Sequence, residues 1–158
     1  TRLDMPGGTL PLLEDSLVMA FVHPRPGSGS AIMQGEADRV HVGDAATIDA
    51  LTRQKELANE ARRLLRRGLV VELGALVGEA WAAKKLQSPE ATTPFIDDVY
   101  EQALKAGALG GKVAGAGGGG YMFFIAPGRV GPVMDALLAM GLRPEGITLE
   151  MEGLKLWK

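Results

Sequence analysis

The sequence has no cysteine, little net charge and no long apolar run, and each absence excludes a class of function. Without cysteine there is neither a disulfide framework nor thiolate chemistry, so the cytoplasm is the default compartment. A net charge of −2 provides no basic surface for nucleic acid. No apolar segment reaches the roughly 18 residues of a membrane span, and the first residues lack the apolar centre of a signal peptide. We therefore expect a cytoplasmic protein without nucleic-acid or membrane partners.

The size and composition are those of one ordered domain. The chain has 158 residues, of which 46% are hydrophobic and 23% are charged, and this is enough for a hydrophobic core. The first residue is Thr1 rather than methionine. Either an initiator methionine has been removed or the chain belongs to a longer polypeptide.

The most unusual feature is the glycine-rich segment Gly107–Gly120, which reads GALGGKVAGAGGGG and holds eight of the 22 glycines. The apolar run Tyr121–Ile125 follows it and predicts a buried strand. Glycine is useful where the backbone must adopt positive φ or where another group must approach it closely. A glycine-rich loop anchored by a buried strand is therefore a candidate binding loop rather than a flexible linker.

Two common phosphate-binding patterns do not fit this segment. The P-loop needs a glycine where Ala106 stands and a hydroxyl residue where Val113 stands. Gly115, Gly117 and Gly120 match the Gly-x-Gly-x-x-Gly spacing, but that dinucleotide motif follows a strand and opens a helix. Here the pattern predicts a helix before the loop and a strand after it, so the dinucleotide motif is rejected. The P-loop is rejected because of the two mismatched residues.

The segment Lys112–Gly120 instead resembles the third signature motif of the GHMP small-molecule kinases, named for galacto-, homoserine, mevalonate and phosphomevalonate kinases. Trp81–Lys85, Pro94–Asp97 with Tyr100, and Gly107–Lys112 look like the branch that phosphorylates heptose 7-phosphate and related sugars. The resemblance is strong from residue 73 to residue 125 and weak from residue 17.

The resemblance implies that the glycine loop lies beside the nucleotide and sugar phosphates, at the seam between two domains. The residues placed there are Lys112, Gly115, Ala116, Gly117, Gly118, Gly119 and Gly120. The last four glycines should then need to be small so that phosphate can approach, and Gly118→Val should lower turnover more than stability. A tight helix-to-strand turn without a ligand is the alternative.

Arg25, Ser28 and Ser30 are candidate substrate ligands, because they follow the predicted central strand Ser16–Val22. Their Gly-Ser segment can start a helix with Ser28 or Ser30 as the N-cap, which presents free backbone N–H groups to an anion. By resemblance, this segment faces the sugar. A solvated turn with a helix cap explains the same residues equally well.

Lys84 is a further candidate, because it lies where the apolar stripe of the predicted helix Leu69–Leu86 ends, and its neighbour Lys85 is a candidate by resemblance. The kinase resemblance implies that one of them contacts a substrate phosphate. A lysine that extends along the apolar surface into solvent is the alternative. The carboxylates Asp97, Asp98 and Glu101 are attributed to the dipole of their helix rather than to a metal or acid–base site.

The remaining pattern predicts an α+β fold with a small, mostly antiparallel sheet and helices on one face, in a ferredoxin-like arrangement. Residues 1–13 are expected to be an irregular entry or a broken edge strand. The other predicted elements are a helix over Asp44–Arg67 with Ile48, Leu51, Ala58, Ala61 and Leu65 on its apolar face, helices over Phe95–Ala106 and Val130–Met140, and a C-terminal hairpin of Ile147–Met151 and Leu154–Trp157. The resemblance implies the same fold, that of the C-terminal domain of GHMP kinases, for residues 1–158.

The resemblance also implies an ATP-dependent sugar kinase whose ATP and Mg²⁺ are bound mainly by an N-terminal domain absent from this chain. No catalytic residue and no metal ligand is predicted here, so the chain alone should be inactive. The implied partners are a sugar phosphate and the N-terminal kinase domain, in cis or as a companion chain, with a homodimer also compatible. The alternative is a free-standing ferredoxin-like module that binds a phosphorylated ligand without catalysis, and a scaffold without a ligand is a third hypothesis.

Overall fold

The structure, a computed structural model, describes residues 3–25, 27–150 and 153. The described elements are, in chain order, α1 (Thr9–Glu14), β1 (Leu17–His23), α2 (Gly29–His41), α3 (Ala45–Arg67), α4 (Val70–Gln87), a 3₁₀ turn (Pro89–Ala91), α5 (Pro94–Lys105), β2 (Gly110–Val113), β3 (Gly120–Ile125), α6 (Val130–Ala139) and β4 (Pro144–Gly146). None of the described helices has the length and apolar character needed to cross a membrane.

The described strands form a sheet in the order β2–β3–β1–β4, in which every neighbouring pair is antiparallel. Helices α2–α5 connect β1 to β2, and α6 connects β3 to β4. Two interleaved strand–helix–strand units of this kind make the ferredoxin-like arrangement. The predicted α+β class is therefore confirmed, and the apolar run at residues 16–22 is an interior strand, as expected.

The main core lies between one face of the sheet and helices α4, α5 and α6. The strand residues Val18, Ala20, Met122 and Phe124 are fully buried there. They belong to the same cluster as the helix residues Trp81, Ile96, Val99, Ala103, Val133 and Leu137. Because side chains alternate across a strand, the even-numbered residues of β1 and β3 form the face that the helices of this core cover.

Helices α3 and α4, which correspond to two predicted helices, pack together as a helical hairpin. Asp44 caps α3 by accepting a hydrogen bond from the Thr47 N–H at 2.8 Å, and this hydrogen bonding to Thr47 lowers the pKa of the Asp44 carboxyl. Gly68 ends the helix in the left-handed conformation, with φ of 72°. Leucines of both helices, among them Leu57 and Leu73, then form a second buried cluster with the sheet residue Ile125.

The apolar face of α3 differs from the prediction. Ile48 and Leu51 are 40% and 38% exposed, and Ala58 is also exposed. Ala61 and Leu65 are only partly buried, and the buried positions are Thr47, Ala50, Leu57 and Leu64. The helix is therefore rotated toward α4 by about one residue relative to the stripe that the apolar residues suggest.

Two chain ends also differ from the expectations. Residues Thr9–Glu14 form a short helix, although Pro6, Gly8 and Pro11 suggested an irregular segment. Near the other end, Pro144–Gly146 is the edge strand, and residues 147–150 are not in a strand. Proline is tolerated in an edge strand because its missing N–H is not needed on the open side. Residues 151, 152 and 154–158 of the predicted hairpin lie outside the described residues.

Candidate functional site

The glycine loop connects β2 to β3 and depends on left-handed backbone conformations. The φ values are 75° at Gly115, 99° at Gly117, 71° at Gly118, 141° at Gly119 and 89° at Gly120. Residues with a side chain rarely adopt these φ values, so the backbone conformation of the loop itself requires glycine at these positions.

The middle of the loop is packed against its own chain. The Gly118 N–H donates to the Ala91 carbonyl at 2.6 Å. A Cβ at Gly117 would lie 2.6 Å from the Ala91 Cβ, and a Cβ at Gly119 would lie 2.9 Å from the backbone of Arg25. Small residues are thus required at positions 117 to 119 by contacts within the chain, and the approach of phosphate to these glycines stays a prediction.

The tip of the loop is open. Ala114 and Gly115 are exposed, and no atom lies closer than 4.0 Å to the place where a Cβ of Gly115 would be. Within the described part of the chain, the N–H groups of Gly115 and Ala116 have no hydrogen-bond acceptor. Consecutive free N–H groups in such a turn form a concavity suited to an anion.

Arg25 connects this tip to the end of β1. Its Nε donates to the Gly117 carbonyl at 2.6 Å, and its Nη2 lies 4.0 Å from the Cβ position of Gly115. One edge of the guanidinium therefore holds the loop, while the Nη groups are placed beside the exposed tip. Arginine suits this position because it offers five N–H donors in a fixed plane.

A cavity of about 210 Å³ lies between the glycine loop and the start of α2. It is lined by Arg25, Gly27, Ser28, Ala31, Ile32, Glu90, Thr93 and Gly118. The predicted loop and the predicted Arg25 and Ser28 are thus brought together at one cavity. Ser28 caps α2 by accepting from the Ala31 N–H at 3.2 Å, and its hydroxyl lies 2.7 Å from that of Ser30.

The two predicted lysines have different surroundings. Lys84 forms an ion pair with Glu36 of α2, and the two side chains are only 11% and 15% exposed. Lys85 pairs with Asp97 at 3.0 Å, and Asp97 also accepts from the Thr92 hydroxyl at 3.0 Å. Lys85 therefore ties the end of α4 to α5, and Lys84 does not extend into solvent.

Lys112 is half-buried on β2, and among the described residues none forms an ion pair or hydrogen bond with its ammonium group. Burial lowers the pKa of its ammonium group, and the positive charge of Lys84 lowers it further. The ammonium groups of Lys84 and Lys112 are thus close enough to repel each other. One nearby carboxylate, Glu36, pairs with Lys84.

Several residues at this site carry no signal in the sequence. Ala91 supports the glycine loop, and Glu36 accepts from the Gln87 side chain at 2.6 Å as well as pairing with Lys84. Arg39 pairs with Glu90 at 3.3 Å and donates to the Gln87 carbonyl at 3.1 Å. Their partners are tens of residues away in the chain, so no local pattern points to them.

Among the described residues there is no group of three or more His, Asp or Glu side chains that could hold a metal ion. The donors at the loop tip are the backbone N–H groups of Gly115 and Ala116 and the Arg25 guanidinium. These groups attract anions rather than cations. The arrangement can therefore position a phosphorylated ligand, but its described residues do not supply a set of metal ligands.

The fold is that of an α+β domain with a glycine-rich loop between two antiparallel strands, and comparison with known proteins identifies its family. Residues 61–141 match the family described as GHMP kinases C terminal. The chain is 30% identical over 122 residues to the D-glycero-alpha-D-manno-heptose 7-phosphate kinase of Campylobacter jejuni, covering 74% of this chain and 35% of that protein. The chain thus spans about a third of the length of this curated relative.

Solved structures show the same fold. The L. major mevalonate kinase in complex with R-mevalonate has a TM-score of 0.71 at 18% identity, covering 78% of this chain and 37% of that one. A D-glycero-D-manno-heptose 1-phosphate kinase from Bacteriodes thetaiotaomicron has a TM-score of 0.57 at 24% identity, covering 92% and 36%. The chain belongs to the GHMP kinase C-terminal domain family.

Proposed function

We propose that this chain is the C-terminal half of an ATP-dependent small-molecule kinase that acts on a sugar or sugar phosphate, with a heptose phosphate as the leading candidate. The observation that carries this proposal is the exposed loop tip, where the N–H groups of Gly115 and Ala116 lie beside the Arg25 guanidinium. The 30% identity to a heptose 7-phosphate kinase supports the sugar substrate.

The chemistry explains why such a loop is useful. In phosphoryl transfer the protein mainly positions the reactants and neutralises the charge that spreads over the transferred group. Backbone N–H groups held by a rigid loop do this without reorganising. Gly117–Gly119, packed on Ala91 and Arg25, fix the loop, so the tip can hold phosphate oxygens in one place.

We assign the cavity beside Gly118 to part of the acceptor. Ser28 and Thr93 offer hydroxyl groups at its wall, and Arg25 offers a positive charge. Ser30, whose hydroxyl is bonded to that of Ser28, belongs to the same rim. Lys85 acts indirectly, because its pair with Asp97 holds the segment that carries Thr92 and Thr93.

ATP and Mg²⁺ are the implied co-reactants. In this chain, the N–H groups of Gly115 and Ala116 and the Arg25 guanidinium would contact the ATP phosphates. All of these groups are donors that fit phosphate oxygens. The described residues include no group that fits Mg²⁺, so we assign the magnesium ligands and the residue that deprotonates the acceptor to an N-terminal domain, in cis or as a companion chain. We propose the cytoplasm as the cellular compartment, and a homodimer is also compatible with the proposed function.

The direct test is ADP release by the complete gene product that carries this chain, assayed with a panel of sugars, sugar phosphates and mevalonate. Acceptor-dependent ADP release with a sugar or sugar phosphate supports the proposal. If mevalonate alone is turned over, the sugar assignment is wrong. If nothing is turned over while a sugar phosphate raises the melting temperature, the non-catalytic binding module is the better description.

A further inference from the structure

The 3₁₀ turn Pro89–Ala91 supports the middle of the glycine loop. The Ala91 carbonyl accepts the Gly118 N–H at 2.6 Å, and Ala91 is fully buried. The Glu90 carbonyl oxygen lies 3.0 Å from the Cβ position of Gly118. Two successive residues of the turn therefore face the loop, so a movement of the turn would move the loop with it.

Helix α2 holds this turn through Arg39. The Nη1 and Nη2 atoms of Arg39 lie 3.3 Å and 3.4 Å from the two carboxylate oxygens of Glu90. Nη2 also donates to the carbonyl of Gln87, the last residue of α4, at 3.1 Å. One guanidinium thus binds both the end of α4 and the turn, using the planar set of donors that arginine provides.

The same helix forms a wall of the cavity beside the glycine loop. Ile32 lines that cavity, and its Cδ1 is 3.2 Å from the Cβ position of Gly118. None of the residues of α2, all of which the structure describes, is buried. Little core packing therefore fixes the helix, and its hydrogen bonds to the end of α4 and to the turn are made by Glu36 and Arg39.

The pair of Arg39 and Glu90 is poorly suited to stabilising the fold. The two side chains are 28% and 57% exposed, and ion pairs at this exposure contribute little to the free energy of unfolding. The Arg39 Nε is buried without a hydrogen-bond partner among the described residues, which is a cost to the fold. A weakly stabilising contact that joins α2 to the support of the glycine loop indicates a role in geometry.

We propose that Arg39 and Glu90 are positioning residues, which keep the cavity wall formed by α2 and the glycine loop in one fixed arrangement. Glu90 acts through the turn that carries Ala91, and Arg39 acts through α2. Without the pair, the loop and the cavity wall would move independently, and misplaced reactants slow phosphoryl transfer. The effect on turnover rests on the proposed kinase function, whereas the effect on the loop does not.

Hydrogen exchange in the complete gene product tests the positioning without a substrate. The Gly118 amide exchanges when the loop leaves the turn, so Arg39→Met and Glu90→Ala should each raise its exchange rate about tenfold. The double variant should exchange no faster than either single variant, because the two residues act as one pair. Arg53→Met is the matched control, since it removes an exposed ion pair of 2.7 Å between α3 and α4, and it should change the rate less than about twofold.

Thermal unfolding and turnover separate positioning from a structural role. Arg39→Met should keep the melting temperature within about 3 °C of the parent protein. It should lower the kcat of ADP release about tenfold, while Arg53→Met changes the kcat less than about twofold. Faster exchange at amides throughout the domain, together with a lower melting temperature, would overturn the proposal. Unchanged exchange at Gly118, or additive effects in the double variant, would overturn it as well.

The exchange measurement does not depend on turnover, so the two proposals can fail separately. Faster Gly118 exchange in Arg39→Met, without ADP release by the parent protein, would refute the kinase function and retain the link between α2 and the loop. ADP release that Arg39→Met leaves unchanged would refute the positioning role and retain the kinase function.

Discussion

Single residues of the glycine loop have two different roles, and the roles fall on different positions. Gly117, Gly118 and Gly119 are buried and touch Ala91, Glu90 and Arg25, so their lack of a side chain is a packing requirement. Ala114 and Gly115 are exposed at the tip. A substitution therefore reports on ligand binding only when it is made at the tip.

Ala114→Glu should weaken nucleotide binding, because it places a negative charge beside the N–H groups that we assign to phosphate. We expect the KM for ATP to rise about tenfold, the effect of about 1.4 kcal/mol of repulsion, while the melting temperature stays unchanged. Ala114→Gln is the matched neutral control and should change the KM less than about twofold. Equal effects of Glu and Gln would show that size, not charge, matters at the tip.

Gly118→Val should destabilise the domain rather than act on turnover selectively. A Cβ at Gly118 would lie 3.0 Å from the Glu90 carbonyl oxygen and 3.2 Å from the Ile32 Cδ1, with φ at 71°. Strain and overpacking together should cost about 2–4 kcal/mol of unfolding free energy. Gly35→Ala in α2, where φ is ordinary and space is available, should be neutral or stabilising in the same denaturant titration. A fully stable Gly118→Val with lost turnover would restore the sequence-based expectation.

The stability contribution of Lys112 should depend on pH in a defined direction. Burial and the charge of Lys84 lower its pKa below the ordinary 10.5, so the folded state holds this proton less tightly than the unfolded state. The penalty is fully present below the lowered pKa and disappears as the pH rises toward 10.5. Lys112→Met removes this charge, so it should raise the melting temperature above that of the parent protein, and this excess should shrink as the pH rises from neutral. A difference that stays constant or grows would contradict this sign.

At the scale of elements, the pattern of apolar residues predicted strands β1 and β3 and helices α3 to α6, because each carries a continuous or periodic buried face. It did not reveal β2, since Gly110 and Gly111 have no side chains to show a period. Gly110 is required because α4 crosses β2 at Gly74 and Gly78, and Gly111 is required because a Cβ there would lie 2.4 Å from the Phe124 ring. Both are contacts between segments that are distant in sequence. The glycine loop was recognisable as a candidate site from its composition, whereas the pairing of Glu36 with Lys84 has no signal in the sequence.

Gly110→Ala should disrupt the crossing of α4 over β2. A Cβ there would overlap the Gly74 carbonyl oxygen, a backbone atom that cannot move without shifting the helix. We expect a loss of more than about 3 kcal/mol of unfolding free energy, or no folded protein. Gly131→Ala is the control, because no atom lies within 4 Å of its Cβ position in α6, and it should stabilise by about 0.5–1 kcal/mol. Similar stabilities for the two variants would mean that α4 does not approach β2 this closely.

At the scale of the whole molecule, we propose that the described residues supply one side of a phosphate site. The loop tip between β2 and β3, Arg25 after the end of β1 and the start of α2 border the cavity beside Gly118. The chain covers 35% of the length of the heptose 7-phosphate kinase that it resembles. We therefore propose that the remaining catalytic groups lie in a preceding domain. The glycine motif could be found from the sequence because it is local, whereas the contacts that support it join distant segments and could not.

The most direct measurement is an amide NMR titration of the complete gene product, labelled at glycine and alanine, with a non-hydrolysable ATP analogue and Mg²⁺. The N–H groups of Gly115 and Ala116 should show large, saturable shifts, because they would gain a phosphate acceptor that the described residues do not provide. The amide of Gly118, which already donates to Ala91, should move much less. Saturable nucleotide binding that leaves Gly115 and Ala116 unchanged would contradict the assignment of the loop to phosphate.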